Sequence, residues 1–147
     1  MAESTTVEEI LALLRERPDD AELYQQLGDL RFERRELMEA WEAFMQSFRL
    51  NPDDPWTCLK FGTLLTLCDG KEYARELFDR AIELAPELAV AHWCSANLFL
   101  KQGEYGLAER AYERAVEVDP DDEKAREKLA EWRSFIAGDR GNLTPPE

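Results

Sequence analysis

The chain has 147 residues, 44% of them hydrophobic and 34% charged, which is enough length and apolar content for one compact domain with its own core. Acids outnumber bases 32 to 18, and the resulting formal charge of −14 argues against nucleic acid and anionic membrane as partners, because Lys and Arg must neutralise phosphates there. Residues 1–9 lack the basic stretch of a secretory leader and no apolar run approaches the ~20 residues of a membrane span, so a soluble, cytoplasmic protein is expected.

Residues 1–5 are expected to be a flexible N-terminus, and the first predicted element is a helix over 6–17. Thr6 and Glu9 have the spacing of a capping box, with Val7, Ile10, Leu11, Leu13 and Leu14 as the apolar side. Pro18 ends this helix and opens a series, since Pro52, Pro86 and Pro120 each follow the previous proline by 34 residues. With proline at ~5% of average usage, three such hits at one chosen period have a chance probability on the order of 10⁻⁴. The chain is an internal repeat, with units at 21–54, 55–88 and 89–121.

Aligned in rows that start at Ala21, Pro55 and Ala89, the units agree column by column. Position 8 holds Gly28, Gly62 and Ala96; position 20 holds Ala40, Ala74 and Ala108; position 27 holds Ser47, Ala81 and Ala115. Small residues at a helix crossing let two backbones approach, and the rings of Phe44, Phe78 and Tyr112 at position 24 can fill the space beside them. Each unit reads as two helices of about 14 residues, near 21 Å long at 1.5 Å per residue. Gly70 and Gly103 break the second and third units, Asp54 before Pro55 reads as an N-cap with proline at the first helical position, and Asp122 is placed to cap the last helix. That helix, at 122–138, offers Leu129, Ala130, Trp132 and Ile136 to the stack, while Arg126 and Arg133 stand where earlier rows are apolar, so it closes the open end. Residues 139–147, with Gly141, Pro145 and Pro146, are expected to form a disordered tail.

These columns resemble the tetratricopeptide-repeat family, which places small residues at 8, 20 and 27 and proline at 32. Phe99, Gly103, Tyr105, Ala108, Tyr112, Ala115 and Pro120 follow the pattern best, whereas Arg31 replaces an aromatic and Gly70 and Tyr73 are displaced. The resemblance implies an all-α, right-handed solenoid with a single repeat domain over 6–138. It also implies a concave groove lined by the first helix of each unit at positions 2, 5, 9, 12 and 13. The first unit then contributes Glu22, Gln25, Asp29, Phe32 and Glu33, a largely polar set. The later units contribute Trp56, Leu59, Thr63, Val90, Trp93, Asn97 and Leu100, and exposed tryptophan on a soluble protein marks a binding surface.

The residues show no sign of catalysis. His92 is the only histidine, it occupies a packing position, and Cys94 two residues on points elsewhere around the helix. No phosphate-binding glycine loop, zinc pattern or calcium-loop spacing occurs, so no enzyme, cofactor or metal is expected. Cys58, Cys68 and Cys94 read as reduced core or groove-wall thiols. The expected function is a non-catalytic protein-interaction module that binds a protein or peptide segment, with Asn97 holding the ligand main chain and the acidic end of the groove favouring a basic residue. A homodimer through the aromatic patch is the competing reading, and a third is a chaperone similar in architecture to those of type III secretion translocators. The family's carboxylate clamp would fall on Gln25, Asp29, Lys60, Val90 and Cys94, of which only Lys60 suits an anion, so that ligand is rejected.

Overall fold

The computed structural model describes residues 5–138, so the flexible and disordered ends expected at 1–5 and 139–147 lie, apart from Thr5, outside the described residues. Among the described residues the chain forms eight helices: α1 (Val7–Glu16), α2 (Ala21–Glu33), α3 (Leu37–Leu50), α4 (Pro55–Leu67), α5 (Lys71–Leu84), α6 (Ala89–Lys101), α7 (Tyr105–Val118) and α8 (Glu123–Gly138). The capping chemistry agrees with the sequence. Thr6 Oγ1 accepts from Glu9 N–H at 3.2 Å while Glu9 Oε2 accepts from Thr6 N–H at 2.9 Å, and Asp54 Oδ1 accepts from Trp56 N–H at 3.0 Å. At the start of α8, Asp122 Oδ1 accepts from Ala125 N–H at 3.1 Å.

The turn inside each pair obeys the 34-residue period in its backbone as well. Arg35, Asp69 and Gly103 have φ of 63°, 63° and 75°, and the following residue in each case, Glu36, Gly70 or Glu104, donates its N–H to the carbonyl of Arg31, Leu65 or Phe99. This is a Schellman closure with a left-handed residue after the helix. Gly70, which reads from the sequence as the breaker, lies one residue past the left-handed position and has φ −90°. Asp69 takes the strained conformation because the glycine is displaced by one.

Helices pair as α2 with α3, α4 with α5 and α6 with α7, and successive pairs stack in an all-α, right-handed solenoid. The small columns lie at the crossings, where Ala40, Ala74, Ala81, Ala96, Ala108 and Ala115 are fully buried. A β-carbon at Gly28 would sit 2.5 Å from the Phe44 ring and one at Gly62 would sit 2.7 Å from the Phe78 ring, so the rings occupy space that only glycine leaves. Ser47 keeps the small column but adds a hydroxyl, which donates to the Ala21 carbonyl at 2.8 Å and lies 3.2 Å from Thr57 Oγ1.

The end helices differ in detail from the sequence pattern. Val7, Ile10 and Leu14 of α1 are buried against Leu23 and Leu27, but Leu11 is exposed. In α8, Ala125, Leu129 and Trp132 are buried and Phe135 packs beside them, whereas Ala130 and Ile136 face outward. The 125–129–132 spacing fits one helical stripe, and Ala130 and Ile136 fall beside it. Cys58 and Cys94 are buried as expected; Cys68, at the C-terminal end of α4, is exposed. No helix among the described residues is long and apolar enough to cross a membrane.

Candidate functional site

The stacking sets the groove. The first helices of successive pairs approach one another, α2 to α4 and α4 to α6, while the second helices α3, α5 and α7 do not. The first helices therefore form the short, concave side of the curve, and residues three and four apart along them share its face. Phe32 of α2, Trp56, Leu59 and Thr63 of α4, and Val90 and Trp93 of α6 converge on one pocket of about 260 Å³, with Asp29 and Lys60 at its edge.

Five of the seven residues expected in the groove line this pocket. Trp56 is 48% exposed and Thr63 is exposed, whereas Leu59 is buried and forms the floor. Trp93 is half-buried, packs against three of the core clusters, and its indole N–H has no hydrogen-bond partner among the described residues. Leu100 is a correction: it is buried among Ala96, Tyr112 and Trp132 and contributes to the core instead of the groove. Asn97 is half-buried outside the lining of this pocket, and its Oδ1 accepts from the buried Tyr112 hydroxyl. Burial at that site pushes the Tyr112 phenol up to about 12, so it remains the donor at neutral pH.

The polar atoms of the groove are largely satisfied internally. Thr63 donates its hydroxyl to the Leu59 carbonyl at 2.8 Å, one turn back on the same helix. Lys60 Nζ pairs with Asp29 at 2.5 Å and donates to Gln25 Oε1 at 3.3 Å. Gln25 in turn donates to Asp54 Oδ2 and Thr57 Oγ1 at 2.8 and 2.7 Å. The lone cation of the pocket is thus neutralised by Asp29, the one carboxylate that lines it. What remains for a ligand is apolar surface. Phe32, on the mainly polar first helix, is the pocket residue that the contrast between rows undervalued; its register position is its only sequence signal.

Neither the two buried thiols nor the histidine is available for chemistry. Burial pushes Cys94 up to about 12 and Cys58 up to about 11, so both stay protonated at neutral pH, and the Cys58 thiol donates to the Pro52 carbonyl at 3.8 Å. His92 Nε2 lies 2.9 Å from the Pro86 carbonyl, the equivalent contact one repeat later. No group of three His, Cys, Asp or Glu side chains that could hold a metal ion occurs among the described residues.

Comparison with known proteins agrees with this geometry. Residues 89–132 match the family model of the tetratricopeptide repeat. No curated protein matches the chain in sequence. Among solved structures, MamA superposes with a TM-score of 0.77 at 20% identity, covering 89% of this chain and 77% of that one. YrrB, described as having an unusual peptide-binding site, superposes at 0.73 and 20% identity over 90% of this chain and 68% of its own. The first repeat domain of Spaghetti (RPAP3), bound to an HSP90 peptide, superposes at 0.71 and 17% identity over 80% and 93% respectively. Residues 89–132 thus carry the tetratricopeptide repeat in their sequence, and most of the chain shares the fold of solved tetratricopeptide-repeat structures.

Proposed function

We infer that the protein is a non-catalytic interaction module whose concave groove takes a protein or peptide segment. The single observation that carries this reading is the apolar pocket assembled from three successive first helices, with Trp56 held 48% exposed at its mouth. Aromatic anchors in pockets are the usual hot spots of binding, and an apolar side chain of the segment would gain about 1.5–3 kcal/mol on full burial. Structures of the same fold described with a bound peptide or a peptide-binding site, RPAP3 and YrrB, support a partner of this class. The internally paired Lys60 and Asp29 favour an internal apolar segment over a terminal carboxylate, since an anion would have to displace Asp29.

The test is selection of peptides from a random library on the wild-type chain, followed by titration against Trp56→Ala and Thr63→Arg, both surface changes that leave the core intact. Losses of about tenfold or more in both variants are expected, Trp56→Ala by removing an anchor and Thr63→Arg by filling the pocket. Selected peptides that bind both variants as tightly as wild type would overturn the groove assignment.

A further inference from the structure

The second helices leave a larger opening on the opposite, convex face. Because α3 and α5 do not approach one another, a cavity of about 790 Å³ lies between them, against α4. Its walls are Trp41, Phe48, Phe61 and Tyr73, with Trp41 and Phe48 each packed on Phe61 at ring separations of 6.4 and 6.3 Å. Tyr73 is 67% exposed. Along the α5 side run Glu76, Asp79 and Glu83, none of which makes an ion pair among the described residues. The cation nearest them in sequence that lines the cavity, Arg80, is held by Asp53 at 2.6 Å and donates to the Pro52 carbonyl.

The next joint of the solenoid shows what this arrangement lacks. There Arg75 lies over the Phe99 ring, 5.1 Å from its centroid, and its guanidinium is 3.8 Å from Glu104. A cation between an aromatic face and a carboxylate closes the gap between the second and third repeats. Thirty-four residues earlier the three positions are Trp41, Leu65 and Gly70, so the first joint has no arginine at the position of Arg75, and its own Arg80 is already held by Asp53 and Pro52. It has instead more ring surface and three carboxylates without a partner. Partial desolvation also raises the Asp79 carboxyl above its ordinary value, against the pull of Arg75, and a bound cation would reverse that.

We propose that the convex cavity is a second docking site that receives an arginine or lysine side chain of a basic protein segment, seated among Trp41, Phe61 and Tyr73 and facing Glu76, Asp79 and Glu83. The occupant is set by charge complementarity: aromatic faces and unpaired carboxylates both favour a cation, and the cavity is large enough for an apolar neighbour of that cation as well. A second copy of this chain, at −14, is repelled. The site is independent of the concave groove.

The experiment titrates the full chain with an acetylated and amidated peptide of about six residues in which leucine and arginine alternate, and with the same peptide carrying neutral citrulline for arginine. Saturable binding is expected, weakened about tenfold or more by citrulline and by the triple variant Glu76→Gln, Asp79→Asn, Glu83→Gln, and several-fold by Tyr73→Ala. Trp56→Ala and a control triple that removes the same charge from the far end, Glu16→Gln, Asp19→Asn, Glu22→Gln, are expected to bind as wild type. Equal losses in the two triples would reduce the effect to bulk charge and overturn the proposal. So would indifference to citrulline, loss of binding in Trp56→Ala, absence of saturable binding up to about millimolar peptide, or peptide-independent dimerisation through this face.

Discussion

At the scale of single residues, the repeat period exposes strain that composition hides. Arg35, Asp69 and Gly103 occupy one left-handed position in three successive turns, and only Gly103 does so without a β-carbon penalty. A left-handed conformation costs a non-glycine residue about 1–2 kcal/mol, less for Asp than for Arg, and glycine gives back part of the gain as unfolded-state entropy. Arg35→Gly is therefore expected to raise stability by about 0.5–1 kcal/mol and Asp69→Gly by less, measured as the shift in urea midpoint. A loss of stability in Arg35→Gly would mean that the turn is not held in the left-handed region. The column of small residues was legible in the sequence because it reports on helix crossings inside each pair. The fates of Asn97 and Leu100 were not, because position 9 or 12 on a helix leaves open whether the next helix supplies a partner, here Tyr112 and Trp132.

At the scale of elements, each helix pair leaves an apolar face that its successor must cover, and α8 ends the series. Trp132 is 1% exposed and packs against the rings of Tyr105, Tyr112 and Phe135 at 5.8, 6.3 and 5.6 Å. Trp132→Ala is expected to cost about 3–5 kcal/mol, the range for truncating a buried large aromatic, and to expose Tyr112 to solvent. Calorimetry and near-ultraviolet tyrosine signals would check this, and a cost under about 1 kcal/mol would show that α8 is dispensable to the stack. The first joint is held differently, through Gln25, Thr57, Asp54 and Ser47, a polar network in which Gln25 and Ser47 reach from the first repeat to Thr57 of the next and to its cap Asp54. Of these residues the sequence marked Ser47 as part of the small column, Asp54 as a cap and Gln25 as a groove position, and gave no sign of Thr57.

At the scale of the whole molecule, the buried thiols and phenol make stability depend on high pH. Cys58 and Cys94 rise from 9.0 to about 11 and about 12, and Tyr112 rises from 10.0 to about 12, all chiefly through burial. Below about pH 9 these groups are protonated folded and unfolded alike, so their full contribution is present; above it the unfolded chain ionises first and stability falls until the folded values are passed. The urea midpoint is expected to be lower at about pH 10.5 than at pH 8, with a flatter profile for Cys58→Ala combined with Cys94→Ala. A midpoint independent of pH across that window would refute the burial of these groups. At neutral pH only the exposed Cys68 should react quickly with a thiol reagent. Light scattering over a range of concentrations is expected to give the mass of one chain, because copies at −14 repel; a mass that doubles with concentration would favour the homodimer.

The sequence by itself determined the period, the helix pairs and the all-α solenoid, because prolines, caps and small residues act locally and recur every 34 residues. It also singled out Trp56 and Trp93, of which Trp56 is left exposed while Trp93 packs in part on the core of its own repeat. Only the tertiary structure decided which side chains are left for a partner. Lys60 reaches Asp29 across 31 residues, Asn97 is taken by Tyr112, and the rings of Trp41 and Phe48 meet Phe61 around a cavity that belongs to no single repeat. Such contacts arise from the angle at which successive repeats stack. That angle is a property of the assembled core, and no window of one repeat length encodes it.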